Sequence, residues 1–125
     1  MTPTATKNLI LVTVSCQRTP ALIDSGATVS CISQKFAEKL GINYQCQSNI
    51  EDLIGADGRR LQVITCVELV VGIRGVLVPH DFYIIRGLNH NALIGLDFMQ
   101  VTRCKLDLAS ATASFLEDLE IRIRN

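Results

Sequence analysis

The alternation of residues 61–71 limits the fold of this chain more than any other feature of its sequence. Every second side chain faces the same way, and that face is apolar apart from one threonine: Leu61, Val63, Thr65, Val67, Leu69 and Val71. A period of two is typical of a strand with one buried face. The run therefore predicts a long β-strand that contributes one face to a core.

Turn signals bound this strand on both sides. The segment Gly55-Ala56-Asp57-Gly58 separates it from a shorter apolar run at residues 50–54. Asp-Gly between two apolar runs is a strong hairpin signal. Residues 72–75 begin and end with glycine and predict a second turn. The centre of the chain is therefore predicted to be a long hairpin followed by further strands of the same sheet.

Composition supports an all-β fold with one or two short helices. Aromatic residues make up only 5% of the sequence and tryptophan is absent, so Val, Ile and Leu in short runs carry the core. Pro20, within a turn at residues 17–20, and Pro79 are expected to interrupt the sheet because proline cannot donate to a strand ladder. Further strands are predicted at residues 9–14, 21–23, 76–78, 82–85, 92–94, 105–108 and 113–115.

Two short helices are predicted between these strands. Ser33 is placed to accept a hydrogen bond from the first turn of a helix over residues 34–40. Gly41 then closes that helix in the left-handed conformation that glycine adopts readily. Residues 96–103 have the apolar spacing of a second helix.

The length of 125 residues predicts a single domain over residues 1–125. Residues 1–7 are expected to be loose, and residues 116–125 are either a solvated tail or a strand at an interface. The apolar run at residues 9–16 is short, is interrupted by polar residues and has one lysine before it. We therefore expect neither a signal peptide nor a membrane-spanning helix.

Charge and cysteine content narrow the classes of function. Twelve basic side chains balance twelve acidic ones without a basic stripe, which argues against binding to nucleic-acid phosphates. The five cysteines are widely spaced and lack a C-x-x-C motif, which argues against a disulfide framework and a structural zinc site. We expect reduced thiols, a cytoplasmic location, and neither a nucleic-acid nor a membrane partner.

Asp24 is the residue of greatest chemical interest because it ends the apolar strand at residues 21–23. Burial of that strand raises the cost of its charge, and Gly26 allows a tight turn and a close approach of another molecule. For Asp-Ser-Gly alone, a turn in which Asp24 caps backbone amides is the commoner interpretation. The segment Ala92-Leu93-Ile94-Gly95 repeats the pattern of an apolar strand that ends at glycine, without the acid.

The run Ala21-Leu22-Ile23-Asp24-Ser25-Gly26-Ala27-Thr28 resembles the active-site motif of retropepsin-like aspartic proteases. Leu93-Ile94-Gly95 resembles the second signature of that family, and the turn at residues 55–58 lies where the family has its flap. The Ala-Asp-Gly tip is similar to proteases of LTR retrotransposons. Gly95-Leu96-Asp97 looks like retrotransposon and cellular ubiquitin-shuttle members. The resemblance covers roughly residues 8–115.

The resemblance implies a retropepsin-like acid-protease barrel with no cofactor and no metal. It implies that Asp24 is the catalytic acid, in an active-site loop with Ser25, Gly26, Ala27 and Thr28. It also implies two supporting segments. The flap tip that covers the substrate consists of Gly55, Ala56, Asp57 and Gly58. The support beneath the loop consists of Leu93, Ile94 and Gly95.

One such chain is half an active site. Peptide hydrolysis by this chemistry needs two carboxylates that share one proton, and the chain has a single Asp-Ser-Gly. A two-fold homodimer that brings Asp24 to Asp24 supplies the second acid. The flaps would close over an extended polypeptide. The resemblance thus implies an aspartic endopeptidase that processes a retrotransposon polyprotein, in the cytoplasm or within virus-like particles.

Other interpretations remain open at this stage. A retropepsin fold can serve as a non-catalytic dimerisation or peptide-binding module, with Asp24 as a structural turn residue. A serine nucleophile at Ser25 would need a base, but both histidines fall on predicted loops and no Gly-x-Ser-x-Gly elbow is present. The spacing of His80, Asp81 and His90 matches no standard metal site.

Overall fold

The computed structural model describes residues 8–47, 51–55, 58–117 and 119–124. It confirms a mainly β fold with two short helices. The elements in chain order are β1 Leu9–Val14, β2 Gln17–Ile23, β3 Cys31–Ser33, α1 Gln34–Lys39, β4 Leu53–Ile54, β5 Arg60–Ile73, β6 Val76–Arg86, β7 Ala92–Ile94, α2 Leu96–Val101, β8 Lys105–Asp107, β9 Thr112–Phe115 and β10 Leu119–Arg122.

Six strands form a closed barrel in the order β1-β2-β7-β3-β6-β5. The barrel closes because β1 pairs with β5 as well as with β2, at Thr13↔Gly72 and Val14↔Val71. β4 pairs with the start of β5, at Leu53↔Leu61, and so forms a hairpin that extends from the barrel. Closure pairs each strand of the barrel on both sides and lets the strands enclose one core.

Strands β8, β9 and β10 form a separate antiparallel sheet in the order β10-β9-β8. Within residues 116–125, where the sequence predicts a solvated tail or an interface strand, Leu119–Arg122 forms β10 and pairs with β9 of the same chain. A bridge between Leu9 and Arg124 joins this end of the chain to β1. The location of β10 at a subunit interface stays a prediction, and residues 1–7 lie outside the described part.

Aliphatic side chains and phenylalanines fill the barrel and the space between the barrel, the helices and the small sheet. A second, smaller cluster lies on the side of the barrel that carries the β4–β5 hairpin, and it consists of Cys31, Val63, Ile85 and Leu93. The largest fully buried side chains of the main core are Phe82, Phe98, Phe115, Ile10, Ile32, Ile73, Ile84 and Ile94. The predicted aliphatic core is thus confirmed, with phenylalanine anchors between the layers.

The helix signals in the sequence are confirmed. Ser33 accepts a hydrogen bond from the backbone N–H of Phe36 at 3.0 Å, which caps the first turn of α1. Gly41 follows that helix with a φ of +70°, the left-handed region that glycine enters without a steric penalty. Helix α2 is two residues shorter than its predicted range of 96–103. No helix in the described part of the chain is long and apolar enough to cross a membrane.

The predicted turn at residues 17–20 is wrong. β2 runs through these residues, and the chain reverses earlier, at Ser15 and Cys16, which have φ values of +49° and +68°. Pro20 fits in the strand because it lies opposite Leu11 in a non-hydrogen-bonded pair of this two-residue hairpin. On its other side β7 begins to pair with β2 only at the next residue, so the missing N–H breaks no ladder bond.

The predicted interruption at Pro79 is also wrong, since β6 continues through it and pairs it with Val70. β3 joins β6 only from Tyr83 onwards, so Pro79 lies where that side of β6 has no ladder partner among the described strands. The alternation of β5 breaks once, at a bulge between Val63 and Thr65. The bulge turns Ile64 into the main core, although strict alternation predicts that it faces the other way.

Candidate active site

Asp24 lies where two parallel strands of the barrel end side by side. β2 and β7 pair in parallel up to Ile23↔Ile94. The backbone N–H of Asp24 continues that ladder by donating to the carbonyl of Ile94 at 2.9 Å. The Asp24 carbonyl then accepts from the N–H of Ala27 at 3.1 Å, which turns the chain sharply. The aspartate is therefore held by backbone bonds at the end of a buried strand.

The Asp24 side chain is half-buried and faces a cleft. Its Oδ1 accepts a hydrogen bond from the N–H of Gly26 at 2.9 Å. A Cβ on Gly26 would lie only 3.2 Å from that oxygen, so the space beside the carboxylate is tight. The local geometry is that of an Asx-turn. The two interpretations of Asp24, as a turn residue and as a site residue, are thus compatible. One oxygen of its carboxylate accepts the hydrogen bond of the turn while the side chain lines the cleft.

The cleft has a volume of about 320 Å³, and its lining is mainly apolar, with Asp24 as the one carboxylate among the described residues that line it. It lies between the loop after β2 and the β4–β5 hairpin. Its lining residues are Asp24, Gly26, Ala27, Thr28, Val29, Cys31, Leu53, Ile54, Gly55, Leu61 and Leu93. An apolar concave site with one acidic group at its wall has the chemistry expected for a bound apolar peptide.

Six of the twelve sequence-predicted site residues line this cleft, namely Asp24, Gly26, Ala27, Thr28, Gly55 and Leu93. Ser25 is exposed beside it, and Ile94 is fully buried beneath the turn. The β4–β5 hairpin closes at Gly55, whose carbonyl accepts from the N–H of Gly58 at 2.9 Å. The remaining predicted tip residues, Ala56 and Asp57, lie outside the described residues.

Gly95 lies against the backbone of the loop that follows Asp24, where only a residue without a side chain fits. A Cβ at this position would lie 2.4 Å from the carbonyl oxygen of Val29 and 2.9 Å from that of Ala27. No side chain fits between these atoms. The next residue, Leu96, donates its N–H to the Ala27 carbonyl at 2.8 Å. The start of α2 therefore packs directly against the backbone of the loop that carries Asp24.

A network of polar side chains beneath the loop is not among the sequence-predicted site residues. Ser30 is fully buried, and its Oγ donates to Asp97 Oδ1 at 2.7 Å while accepting from the Gly95 N–H at 3.0 Å. Asp97 Oδ2 lies 3.0 Å from His80 Nε2. The available signal in the sequence is an acidic residue in the first turn of a helix, where the helix dipole favours it. We refer to His80, Asp97 and Ser30 as the buried polar network.

Asp97 is ionised in this network. Burial alone would raise its pKa, but the hydrogen bonds from Ser30, the close approach of His80 Nε2 and the hydrogen bond from the N–H of Phe98 outweigh burial and hold the pKa below its ordinary value. His80 lies on β6 rather than on the predicted loop, and its ring packs edge-on against Phe82 and Phe98. These contacts give no support to His80 as a base for Ser25. Among the described residues no group of three metal-ligating side chains comes together.

Cys31 is the other nucleophilic group on the cleft wall. Burial, with smaller contributions from the charge of Asp97 and from Cys66, raises the pKa of its thiol to about 12. The thiolate is the reactive form of cysteine. Cys31 is therefore a protonated apolar lining residue at neutral pH, which leaves Asp24 as the group on the cleft wall suited to acid–base chemistry.

Solved structures with the same fold are retropepsins or their relatives. The retroviral protease-like domain of Ddi1 from Leishmania major matches with a TM-score of 0.79 and 20% identity, over 98% of this chain and 97% of that chain. The EIAV protease complexed with the inhibitor HBY-793 matches with a TM-score of 0.65 and 16% identity, over 86% and 99%. A retropepsin-like aspartic protease from Rickettsia conorii matches with a TM-score of 0.62 and 16% identity, over 79% and 75%.

Sequence comparison with families gives the same answer as the fold. No curated protein matches the chain. Residues 10–101, most of the chain, match the family described as "gag-polyprotein putative aspartyl protease". The match includes the loop after β2, the β4–β5 hairpin, β7 and α2. The chain is a member of this family of retropepsin-like aspartyl proteases.

Proposed function

We propose that this protein is an aspartic endopeptidase whose catalytic pair is Asp24 of one chain and Asp24 of a second copy. The observation that carries the proposal is the position of Asp24. Its carboxylate is fixed by the Gly26 N–H at the end of a buried strand and lines an apolar cleft below a hairpin. Such a cleft would accommodate an extended polypeptide with apolar side chains, held between the loop and the hairpin.

The reaction needs the two carboxylates in different protonation states. The ionised Asp24 removes a proton from a water molecule, whose oxygen attacks the scissile carbonyl carbon. The protonated Asp24 of the other copy donates to the carbonyl oxygen. When the resulting gem-diol collapses, the C–N bond breaks, the protonated carboxyl gives its proton to the leaving nitrogen, and the other carboxylate takes a proton from a gem-diol hydroxyl, which restores the starting pair. Two carboxyl groups so close do not both ionise, because the like charges repel, so the pair titrates in two coupled steps.

Two observations support a homodimer. The chain contains a single Asp-Ser-Gly, so the second acid must come from another copy. The small sheet ends at β8, which pairs only with β9 among the described strands. Leu106 on β8 and the adjacent Leu108 are exposed, at 37% and 71%. An exposed edge strand with neighbouring leucines is suited to pairing with a second copy.

We propose a polyprotein as the substrate and an LTR retrotransposon as its source. The match to a gag-polyprotein protease family supports the first part. The similarity of the Ala-Asp-Gly tip and of Gly95-Leu96-Asp97 to retrotransposon proteases supports the second. Cleavage in the cytoplasm or within virus-like particles follows from this setting.

A second candidate is a dimerisation or peptide-binding module without turnover. It is favoured by the structural similarity to the protease-like domain of Ddi1, which extends over nearly the whole of both chains. In that case the cleft would bind an extended peptide and Asp24 would only stabilise its turn. The two candidates share the fold and the cleft and differ in whether the Asp24 carboxylate is needed for chemistry.

The deciding experiment compares wild type with Asp24→Asn on a peptide library between pH 4 and 7. Asparagine keeps an oxygen that can accept from the Gly26 N–H, so fold and self-association should persist. Asp81→Asn is the matched control, because Asp81 is exposed on β6. Cleavage by wild type and by Asp81→Asn, but not by Asp24→Asn, is the expected result. Binding without cleavage by all three proteins would establish the module instead.

A further inference from the structure

We propose that His80 and Asp97 are positioning residues, which hold the loop that carries Asp24 through the buried polar network. The network joins β6 and α2 to the backbone on both sides of that loop. Its effect on turnover rests on the proposed function. Its effect on the position of the loop does not depend on that function and can be measured separately.

His80 is fixed in one orientation. Its side chain is only 12% exposed, and Nε2 is buried and lies 3.0 Å from Asp97 Oδ2. The ring centroid is 5.8 Å from that of Phe82 and 5.2 Å from that of Phe98, both nearly perpendicular to it. Edge-to-face packing on two sides opposes rotation of the ring. His80 thus directs a nitrogen at Asp97 from β6.

Asp97 gathers donors from three segments of the chain. Its oxygens accept from the Ser30 N–H at 3.2 Å, the Ser30 hydroxyl at 2.7 Å and the Phe98 N–H at 2.7 Å, in addition to the contact with His80. A carboxylate that is 71% shielded from water would be costly without such partners. Removing one partner therefore leaves a half-buried charge incompletely compensated and favours a shift of Asp97.

A shift of Asp97 would change the position of Asp24, because few hydrogen bonds separate the two residues. The Ser30 hydroxyl holds the Gly95 N–H at 3.0 Å, and the preceding Ile94 carbonyl holds the Asp24 N–H at 2.9 Å. The N–H of Asp97 itself contacts the Thr28 carbonyl at 3.3 Å. Both ends of the turn that presents the carboxylate are therefore tied to the network.

The other titratable groups nearby do not supply a competing charge at this point. Burial raises the pKa of the Cys31 and Cys66 thiols, so both stay neutral. Asp81 follows His80 on β6 and is exposed, since neighbouring residues of a strand face opposite ways. His80 is thus the side chain from β6 that contacts Asp97.

The test compares His80→Phe with His80→Gln. Phenylalanine keeps the aromatic packing but removes the nitrogen, whereas glutamine loses the ring but retains an N–H donor. Val14→Ala serves as a control for general loss of stability, because shortening this buried side chain leaves a cavity in the core. Amide hydrogen exchange is measured at Asp24, Gly95 and a remote β1 position, Val12, and kcat and KM are measured on a peptide that wild type cleaves.

In His80→Phe we expect exchange at Asp24 and Gly95 to accelerate about tenfold and kcat to fall about tenfold, with KM nearly unchanged, because misplaced catalytic groups lose rate rather than affinity. Exchange at Val12 should stay near wild type, and His80→Gln should recover most of both effects. Unchanged exchange in His80→Phe, equal damage in His80→Gln, or the same pattern in Val14→Ala would overturn the proposal. If wild type cleaves nothing, the proposed function fails and the exchange pattern alone decides the positioning role.

Discussion

Two neighbouring strands of the barrel end in the same three residues but are followed by different ones. Residues 21–23 and residues 92–94 both read Ala-Leu-Ile and pair with each other in parallel, in register, residue for residue. The first strand ends at Asp24, which lines the cleft. The second ends at Gly95, which lies against the backbone of the loop after the first. The two segments therefore differ in the single residue that follows the strand.

Under the proposed function, this difference separates support from chemistry within one barrel. At Asp24 the chain presents a carboxylate at the surface of a cleft. At Gly95 the chain omits even a Cβ, so that the loop can approach within a distance that no side chain would allow. Because the second strand carries no acid, the same comparison predicts that the second acid comes from another copy of the chain.

The largest effect is expected at the acid itself. Asp24→Asn should lower kcat/KM by about 10³-fold or more, because it removes a group that must exchange protons in the reaction. The unfolding free energy should change little, since the amide oxygen can still accept from Gly26. Kinetics and urea denaturation of the same samples check both parts. Residual activity within tenfold of wild type would remove Asp24 from the mechanism.

A substitution at Gly95 should lower stability, in contrast to Asp24→Asn, which should lower turnover. Gly95→Ala places a methyl group 2.4 Å from the Val29 carbonyl oxygen, and we expect about 1–3 kcal/mol of destabilisation from overpacking. Gly26→Ala meets only the Asp24 carboxylate, at 3.2 Å. It should reduce turnover while leaving stability near wild type. Equal unfolding midpoints for the two variants would show that the segments are not specialised in this way.

Asp97 should make the free energy of unfolding depend on pH in the acidic range. Because its pKa in the fold is below that of the unfolded chain, it stabilises the protein above about pH 4 and loses that contribution as the pH falls further. Asp97→Asn should be less stable at pH 7 by about 1–3 kcal/mol, and the gap to wild type should narrow below about pH 4. Thermal unfolding from pH 2.5 to 7 measures this. A gap that widens in acid would reverse the assigned direction.

The dimer contact is expected to give the smallest single-site effect. Leu108→Glu places a charge beside the edge of β8 and should weaken self-association about tenfold, equivalent to about 1.4 kcal/mol. Leu77→Glu is the matched control, since Leu77 is similarly exposed, at 66%, on the β5–β6 hairpin of the barrel. Sedimentation at several concentrations distinguishes them. An equal effect of both substitutions, or none, would place the contact elsewhere.

The sequence predicts those features that short segments determine. The apolar strands that end at Ile23 and Ile94 and the cap at Ser33 each depend on neighbours in the sequence, and the structure has them as predicted. The turn at Ser15 and Cys16 is missed because non-glycine residues adopt positive φ there. Strict alternation likewise cannot reveal a bulge within β5.

The buried polar network is missed for a different reason. Ser30 and Asp97 are 67 positions apart in the chain, and the location of Asp97 in the first turn of a helix does not indicate its partners. Only the parallel pairing of β2 with β7 brings the loop of one against the helix after the other. A polar contact of this kind is set by topology, and single-sequence patterns contain no direct signal for it.

The claim that Asp24 works across two copies is tested most directly by mixing wild type with a ninefold excess of Asp24→Asn at a concentration where dimers form and exchange. If each active site needs one Asp24 from each chain, most wild-type chains will enter mixed dimers, and activity per wild-type chain should fall to about a tenth. Activity that depends only on the amount of wild type, whatever the excess of variant, would show that one chain is sufficient and would contradict the account.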